Sequence, residues 1–313
     1  MFRTFRINLT WTELIRRTIK ETIADRVPGI SAELAYYFLL SLAPAIVFVA
    51  ALASFFPGAL IQDIIARLGG VAPTGALEVI REQLQNIASG QNGGVLTFGL
   101  LVALWSSSAA IVGVTEALNR AYDIEEARPW WKVRLTAILL TIALAVFVVV
   151  AFALVLIGPT LIDQLAARFG LSQLTATTWK VLQWPLAFAI VATGIGLIFY
   201  FAPDAEQEWE WITPGAVLAT ILWLIASLVF KIYVSNFADY NATYGSLGGV
   251  IVLMLWFYIS AFAILVGAEM NAEIEHASPH GKAPGEKIPG QRKKLGALAA
   301  REYEAHNRFK RTA

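Results

Sequence analysis

The chain has 313 residues, of which 57% are hydrophobic and only 15% are charged. Soluble domains contain about 45–50% apolar and about 25% charged residues, so this composition excludes an ordinary water-soluble fold. The 24 Lys and Arg balance 23 Asp and Glu, and this net charge near zero gives no indication of nucleic-acid binding. The absence of cysteine excludes disulfides, thiolate catalysis and thiolate metal sites. We therefore predict an all-α, polytopic integral membrane protein.

The first predicted element is a surface helix over residues 10–27, in which Thr10 and Glu13 form an N-terminal capping box. Four apolar residues fall on one side of this helix: Leu14, Ile15, Ile19 and Ile23. Pro28 and Gly29 are predicted to end it. Two interpretations stay open, because such a helix can lie in the lipid headgroup layer or pack on the cytoplasmic face of its own membrane domain.

Six later segments are apolar over the roughly 20 residues that a helix needs to cross the hydrocarbon core. These segments cover residues 32–56, 95–114, 135–157, 182–201, 212–234 and 247–270. The connection over residues 57–92 carries two helical apolar stripes separated by glycines and a proline, which predicts a helical hairpin on the membrane surface between the first and second spans.

Lys and Arg are distributed very unequally between the connections. If the amino terminus is cytoplasmic, the inner segments hold 19 of them and the outer segments hold four. Since cytoplasmic connections retain these residues, we predict that both termini are cytoplasmic. The predicted organisation is a cytoplasmic amphipathic segment at 1–29, a six-helix membrane domain at 30–276, and a cytoplasmic, largely disordered tail at 277–313.

Three charged residues are predicted to form a functional cluster at the cytoplasmic ends of three spans. Glu33 begins the first span, Arg120 closes the second and Glu269 lies near the end of the sixth. A charge is costly at membrane depth, so we expect Arg120 to pair with one of the two glutamates. The alternative is that both glutamates lie at the interface, where their carboxylates reach water.

Two further features bear on helix packing. Pro44 is predicted to kink the first span, because proline removes a backbone hydrogen bond and clashes with the carbonyl of the residue four positions earlier. Such a kink is typical of transporter binding sites, but it also occurs for packing alone. Gly245, Gly248 and Gly249 at the start of the sixth span are predicted to allow close approach of another helix.

Motifs of soluble enzymes are missing from the sequence. His276, His280 and His306 all lie at or beyond the end of the last span, and no pair has metalloprotease spacing. No span carries a histidine that could activate Ser106, Ser107 or Ser108, and no phosphate-binding or dinucleotide fingerprint is present. We predict no catalytic residue, metal or cofactor.

Three stretches of the sequence resemble the YihY/BrkB family of bacterial inner-membrane proteins. They read AELAYYFLLSLAP at 32–44, LNRAYDIEEARPWWKVRL at 118–135 and YGSLGGVIVLMLWFYISAFAILVGAEMNAEIE at 244–275. The polar landmarks of this resemblance are Asn119, Arg120, Arg128, Pro129, Gly267, Glu269 and Asn271, and it extends over residues 10–276. It implies a six-helix protein of the bacterial cytoplasmic membrane. Members have been linked to virulence, and once carried a tRNA-processing ribonuclease label whose histidine and aspartate cluster is missing here.

Three functional hypotheses follow. A transporter or translocase is favoured, because the kinked first helix, the charges at the edges of the spans and the many small residues suit a bundle that rearranges. Few charges lie at the middle of the spans, which favours a lipid or amphiphile over a small ion as its cargo. A non-transporting scaffold for envelope assembly is the alternative, and a membrane enzyme is the weakest reading. The expected partners are membrane lipids and an amphiphilic substrate, not nucleic acid, and a homo-oligomer stays open. Asn119, Arg128 and Asn271 are expected to support the charged cluster.

Overall fold

The computed structural model describes residues 10–53, 93–156, 158–159, 162, 164, 168, 173–207, 209–236, 246–278 and 282–288. These residues form seven helices and no strand, which confirms the all-α prediction. The helices are α1 (Trp11–Ala24), α2 (Val27–Ala53), α3 (Gly93–Ala121), α4 (Trp130–Leu156), α5 (Gln173–Phe201), α6 (Trp209–Asn236) and α7 (Ser246–His276). The helical hairpin predicted over residues 57–92 lies outside the described residues.

Helices α2 to α7 are each long and apolar enough to cross a membrane, which confirms the six predicted spans. The candidate spans are Val27–Ile46, Gly99–Ala121, Trp130–Val155, Thr177–Phe201, Thr213–Val234 and Gly248–His276. Helix α5 begins at Gln173, earlier than the predicted start at Leu182, because its first two turns are polar and hydropathy alone does not detect them. Pro44 lies inside α2, which continues to Ala53.

The junction between α1 and α2 differs from the prediction. Helix α1 ends at Ala24, and Arg26 takes a left-handed conformation with φ of 57° before α2 begins at Val27. Pro28 therefore starts α2 and does not end α1. Proline suits the first turn of a helix because the missing N–H has no partner there and its φ is already helical. The predicted boundary between residues 29 and 30 falls within α2.

The chain divides into two compact units, each made of several segments. The first comprises Met1–Leu39, Ala110–Ala137 and Ile195–Ala313, and the second comprises Leu40–Ala109 and Ile138–Gly194. The second unit contains parts of α2, α3, α4 and α5, and its apolar core includes Phe48, Ala103 and Ala145.

Helices α6 and α7 pack together within the first unit at a point where two glycines face each other. A Cβ added to Gly215 would overlap the carbonyl oxygen of Gly267, and one added to Gly267 would lie 2.5 Å from the carbonyl oxygen of Gly215. Ala219 is the next small residue at this crossing, 2.7 Å from the same added Cβ. Small residues at such positions let two helix backbones touch, which strengthens van der Waals contact where lipid supplies no hydrophobic driving force.

A side-chain hydrogen bond reinforces this crossing. The backbone N–H of Gly215 donates to Oδ1 of Asn271 over 2.7 Å. Pro214 precedes Gly215 inside α6 and has no N–H of its own, so the helix backbone is already weakened at this point. The amide of Asn271 thus ties α7 to α6 at a locally weakened turn.

Among the glycines predicted from the sequence, Gly249 does not make such a close approach. An added Cβ on Gly249 would meet no atom within 4 Å. The glycine pattern at the start of the last span therefore does not mark a helix contact at Gly249, whereas Gly267, eighteen residues later on the same helix (267 − 249), does.

Helix α1 packs on the same pair of helices. Leu14 is buried against Met270 and Ile274 of α7, and Leu218 of α6 packs against this cluster. The N-cap of α1 is Thr10, whose Oγ1 accepts a hydrogen bond of 3.3 Å from the backbone N–H of Glu13. This is the bond from the N-cap side chain that the predicted capping box requires. The packing interpretation of α1 therefore holds for the side that carries Leu14.

We predict that Gly215→Ala and Gly267→Ala strongly reduce the folded fraction of the protein. The added methyl group meets backbone atoms that cannot rotate away, so the free energy of unfolding should fall by more than the roughly 1–3 kcal/mol typical of overpacking. Thermal unfolding and membrane abundance measure this effect. Gly249→Ala on α7 is the matched control and should behave like the wild type; equal stability of all three variants would contradict the crossing.

Candidate functional site

The turn that follows α3 sets the geometry of the site. Asp123 has a φ of 56°, a left-handed conformation that aspartate tolerates better than most residues. The backbone N–H of Ile124 then donates to the carbonyl oxygen of Asn119 over 2.9 Å, which closes the end of the helix. The chain leaves α3 with the Asn119 side chain buried and Glu126 and Arg128 following in the connection.

Asn119, Glu126 and Arg128 form a hydrogen-bonded set in this connection. Arg128 donates from Nε to Glu126 Oε1 over 2.8 Å and from Nη2 to Glu126 Oε2 over 2.7 Å, which is a bidentate ion pair. Asn119 Nδ2 donates to Glu126 Oε2 over 2.9 Å. Arg128 Nη2 also donates to the carbonyl oxygen of Ala202, at the end of α5, over 2.7 Å.

Asp204 joins the connection between α5 and α6 to this set. Its backbone N–H donates to Asn119 Oδ1 over 2.8 Å, and its Oδ2 accepts the backbone N–H of Ala127 over 2.9 Å. Arg128 Nε lies 3.6 Å from Asp204 Oδ1, and Lys287 forms an ion pair with Oδ2. Asn119, Glu126, Arg128, Asp204 and Lys287 are called the connection network below.

The charges of the connection network stabilise each other. Partial burial alone would raise the pKa of Glu126, but hydrogen bonds from Arg128 and Asn119 outweigh it and hold the pKa below its usual value. The bond to Glu126 likewise raises the pKa of Arg128 in spite of burial. Both groups are therefore ionised at neutral pH, and the pair links two interhelical connections.

A second ion pair is almost completely buried. Lys282, whose side chain is 2% exposed, donates to Glu275 Oε1 over 2.5 Å, to the carbonyl oxygen of Glu206 over 2.6 Å and to Gln207 Oε1 over 3.3 Å. The backbone N–H of Glu206 donates to the carbonyl oxygen of Lys287 over 2.9 Å. Residues 282–288 therefore pack against the α5–α6 connection.

Residues 282–288 belong to the segment that was predicted to be a tail. Residues 277–313 were expected to be solvated and largely disordered, because their composition cannot form a core. In residues 282–288 the membrane domain supplies the partners instead, through Glu275 at the end of α7 and Gln207 before α6.

Tyr122 fills the space between these groups. It is buried with Ile124 and Ala272, and its hydroxyl group is hydrogen-bonded to the side chains of Gln207 and Asn271. Burial raises its pKa well above the usual range, so the phenol stays neutral. Asn271 thus contacts both the phenol and the backbone of α6.

A cleft of about 650 Å³ opens beside the connection network. Its lining combines charged and aromatic side chains: Arg128, Tyr200, Phe201, Asp204, Glu206 and Lys287 belong to it. This volume lies within the range of about 300–1,000 Å³ that is usual for small-molecule sites. The cleft can accommodate a ligand with a charged group and an apolar part.

Glu269 lies within the last span and is only 2% exposed. It is seven residues from the end of α7 (276 − 269), or about 10 Å along the helix axis. Four further carboxyl groups lie within electrostatic range of it: those of Asp25, Glu21, Asp123 and Glu273. Its surroundings are therefore mainly acidic rather than basic.

The other two members of the predicted cluster lie in different surroundings. Glu33 and Arg120 are exposed, and Glu33 accepts a hydrogen bond of 3.2 Å from the hydroxyl group of Tyr37, one turn along α2. No ion pair among the described residues joins any two of Glu33, Arg120 and Glu269. Arg120 occupies the last turn of α3, where the helix dipole stabilises a cation without a carboxylate partner.

The structure brings Asn119, Arg128 and Asn271 into one polar layer, but with partners that the sequence did not indicate. Glu126 and Tyr122 lie within the stretch 118–135 that carries the family resemblance, so their position was a usable signal. No such signal marked Lys282, because a lysine in a polar segment is expected to be solvated. Among the described residues, no three His, Asp or Glu side chains are grouped as metal ligands.

We predict that Lys282→Met lowers the free energy of unfolding by about 3–5 kcal/mol, since it leaves the buried Glu275 carboxylate without its cation. The double variant Lys282→Met, Glu275→Gln should recover part of this loss because both charges are then removed. Thermal unfolding of the purified protein measures both effects. Lys20→Met, on a lysine that is 79% exposed, is the control. Additive losses in the double variant would show that the pair does not interact.

Comparison with known proteins places the chain in a family. The family model described as virulence factor BrkB matches residues 18–290, and so includes the packed segment 282–288 that the sequence resemblance left out. The putative ribonuclease-like protein YfkH of Bacillus subtilis is 41% identical over 243 residues, which cover 77% of this chain and 88% of that protein.

Two further relatives are named only as membrane proteins. The UPF0761 membrane proteins of Pseudoalteromonas translucida and Photobacterium profundum are 27% and 26% identical over 280 and 310 residues. These alignments cover 84% and 95% of this chain, and 84% and 90% of the relatives. No solved structure matches the chain. With its six candidate spans and a family match over most of its length, the chain belongs to the BrkB family of membrane proteins.

Proposed function

We propose that this protein is a transporter or translocase of a lipid or other amphiphile in the bacterial cytoplasmic membrane. The observation that carries the proposal is Glu269, a carboxyl group buried inside a span. An ionisable residue within a span is costly, although less so near the end of the span than at its centre, and such residues usually mark a substrate or ion pathway. Among the described residues, Glu269 forms no ion pair like that of Glu275 with Lys282, and the groups that act on it electrostatically are carboxyl groups.

The cleft supports an amphiphilic substrate. Arg128, Asp204 and Lys287, which are paired within the connection network, give the cleft a charged wall, and Tyr200 contributes an aromatic surface. This combination suits a charged headgroup attached to an apolar chain better than a bare inorganic ion.

Catalysis is not part of the proposal. The name of YfkH contains the word ribonuclease, but the three histidines of this chain lie at or beyond the end of the last span, and no pair of them has metalloprotease spacing. The alternative is a scaffold that binds other envelope proteins, and the transport measurement below separates the two.

The proposed orientation has both termini in the cytoplasm. It is supported by the 19 Lys and Arg of the inner segments against four in the outer segments. Glu269, the cleft and α1 would then lie at the cytoplasmic margin. Glu33 and Arg120, as ends of the first and second spans, would share that margin.

We predict that the reconstituted protein accelerates movement of a fluorescent phospholipid across a vesicle bilayer, measured by the fraction of fluorescence that an impermeant reductant destroys. Glu269→Gln should slow this movement on the order of tenfold, because the substitution keeps the shape and removes the ionisable group. Adding Glu33→Gln tests whether that residue contributes to the same step.

Glu125→Gln is the matched control, since Glu125 is an exposed carboxylate in the α3–α4 connection. It should leave the rate unchanged. Protein-containing vesicles that move lipid no faster than protein-free vesicles would reject lipid translocation and favour the scaffold.

The orientation is tested with single cysteines, which the native chain lacks. In right-side-out membrane vesicles, an impermeant maleimide should label Ser172→Cys in the predicted outer connection. Glu125→Cys should be labelled only after the vesicles are opened. Labelling of Glu125→Cys in sealed vesicles would reverse the orientation without bearing on the transport proposal.

A further inference from the structure

Helix α1 carries an apolar stripe that the described part of the chain does not cover. Trp11, Ile15, Ile19 and Ile23 recur every four residues, and they are 75%, 54%, 54% and 69% exposed. A single exposed apolar side chain is ordinary, but four large ones in a row on one helix form a contiguous patch. These four residues are called the outer stripe.

The outer stripe lies beside the face of α1 that packs on α7. The packed face comprises Leu14, Thr18 and Thr22, all buried, and Leu14 contacts Met270 and Ile274. With 3.6 residues per turn, the centres of the two faces are about 80° apart around the helix axis. The packed face and the outer stripe together therefore cover about twice as much of the circumference of α1 as its contact with α7 requires.

Charged residues occupy the remaining side of α1. The side chains of Arg16 and Lys20 are 83% and 79% exposed, and Glu13 lies on the same side. The helix thus has three faces in order: one on a spanning helix, one apolar and open, and one charged. An in-plane helix beside a membrane bundle requires this order, with protein on one flank, lipid below and water above.

The position of α1 is restricted by its connection to α2. Only Asp25 and Arg26 separate α1 from the first span, so α1 cannot move away from the membrane surface. Its packing on α7 fixes its rotation. The outer stripe is consequently held next to the bilayer in which α2 and α7 lie.

We propose that the outer stripe is a lipid-binding face, inserted at the boundary between headgroups and acyl chains, with Arg16 and Lys20 reaching anionic headgroups. The apolar side chains gain contact with acyl chains, Trp11 suits the interface with its amphipathic ring, and the cations add electrostatic attraction. Neither the transport activity nor the orientation of the termini is assumed in this assignment.

The test uses nitroxide labels on single cysteines at positions 15, 16, 19 and 20, in full-length protein reconstituted into phosphatidylethanolamine and phosphatidylglycerol vesicles. Labels replacing Ile15 and Ile19 should be more accessible to oxygen, which concentrates in the bilayer, than to a water-soluble nickel complex. Labels replacing the neighbouring Arg16 and Lys20 should show the reverse. All four side chains point away from α7, so the packed face stays intact, and unchanged thermal unfolding verifies this.

Two results would overturn the proposal. Equal nickel accessibility at all four positions would place the outer stripe in water. Low accessibility of labels 15 and 19 to both reagents would show that protein covers the outer stripe. The covering protein would be a second copy of the chain or another subunit, and cross-linking yields with the single cysteines would distinguish these two. Lipid translocation measured on the same vesicles fails or succeeds independently of either result.

Discussion

The close contact of α6 with α7 at Gly215 and Gly267 is the constraint on which the polar end of the first unit depends. Backbone atoms of the two helices touch at this crossing, so neither helix can slide or rotate without losing its contact with the other. The contact fixes the rotation of α7, and hence the direction in which Glu269, Asn271 and Glu275 point from it. Asn271 then reaches the backbone of α6, and Glu275 reaches Lys282.

Charged groups near this crossing are stabilised in two ways. In the connection network, Arg128 is hydrogen-bonded to Glu126 by two contacts and lies 3.6 Å from Asp204, so that these charges neutralise each other. Lys282 and Glu275 do the same with almost no access to water. Buried pairs of this kind contribute little net stability compared with apolar contacts, but they specify which segments meet, because separating the partners is costly. Here they fix the α3–α4 and α5–α6 connections and residues 282–288 relative to α7.

Glu269 differs from these pairs because the groups around it are mainly carboxyl groups. Two of them, Glu21 and Asp25, belong to α1 and the turn after it, so the packing of α1 on α7 contributes to the surroundings of Glu269. If α1 also contacts lipid through its outer stripe, one short helix links the bilayer surface to the buried carboxyl group. This arrangement combines a lipid-facing element and an ionisable group within a single packed unit.

The sequence by itself determined the class of protein, the six spans and the family, because length and hydropathy act locally and a stretch of about 20 apolar residues has few alternatives to a spanning helix. It also indicated Asn119, Arg128, Glu269 and Asn271 as polar landmarks. Tertiary structure alone decided their partners: Asp204 bonds to Asn119 across 85 positions, and Lys282 bonds to Gln207 across 75. The same holds for the glycines, since Gly249 and Gly267 look alike in the sequence and only the path of α6 makes Gly267 a contact. Such contacts depend on how the helices pack, which local composition does not encode.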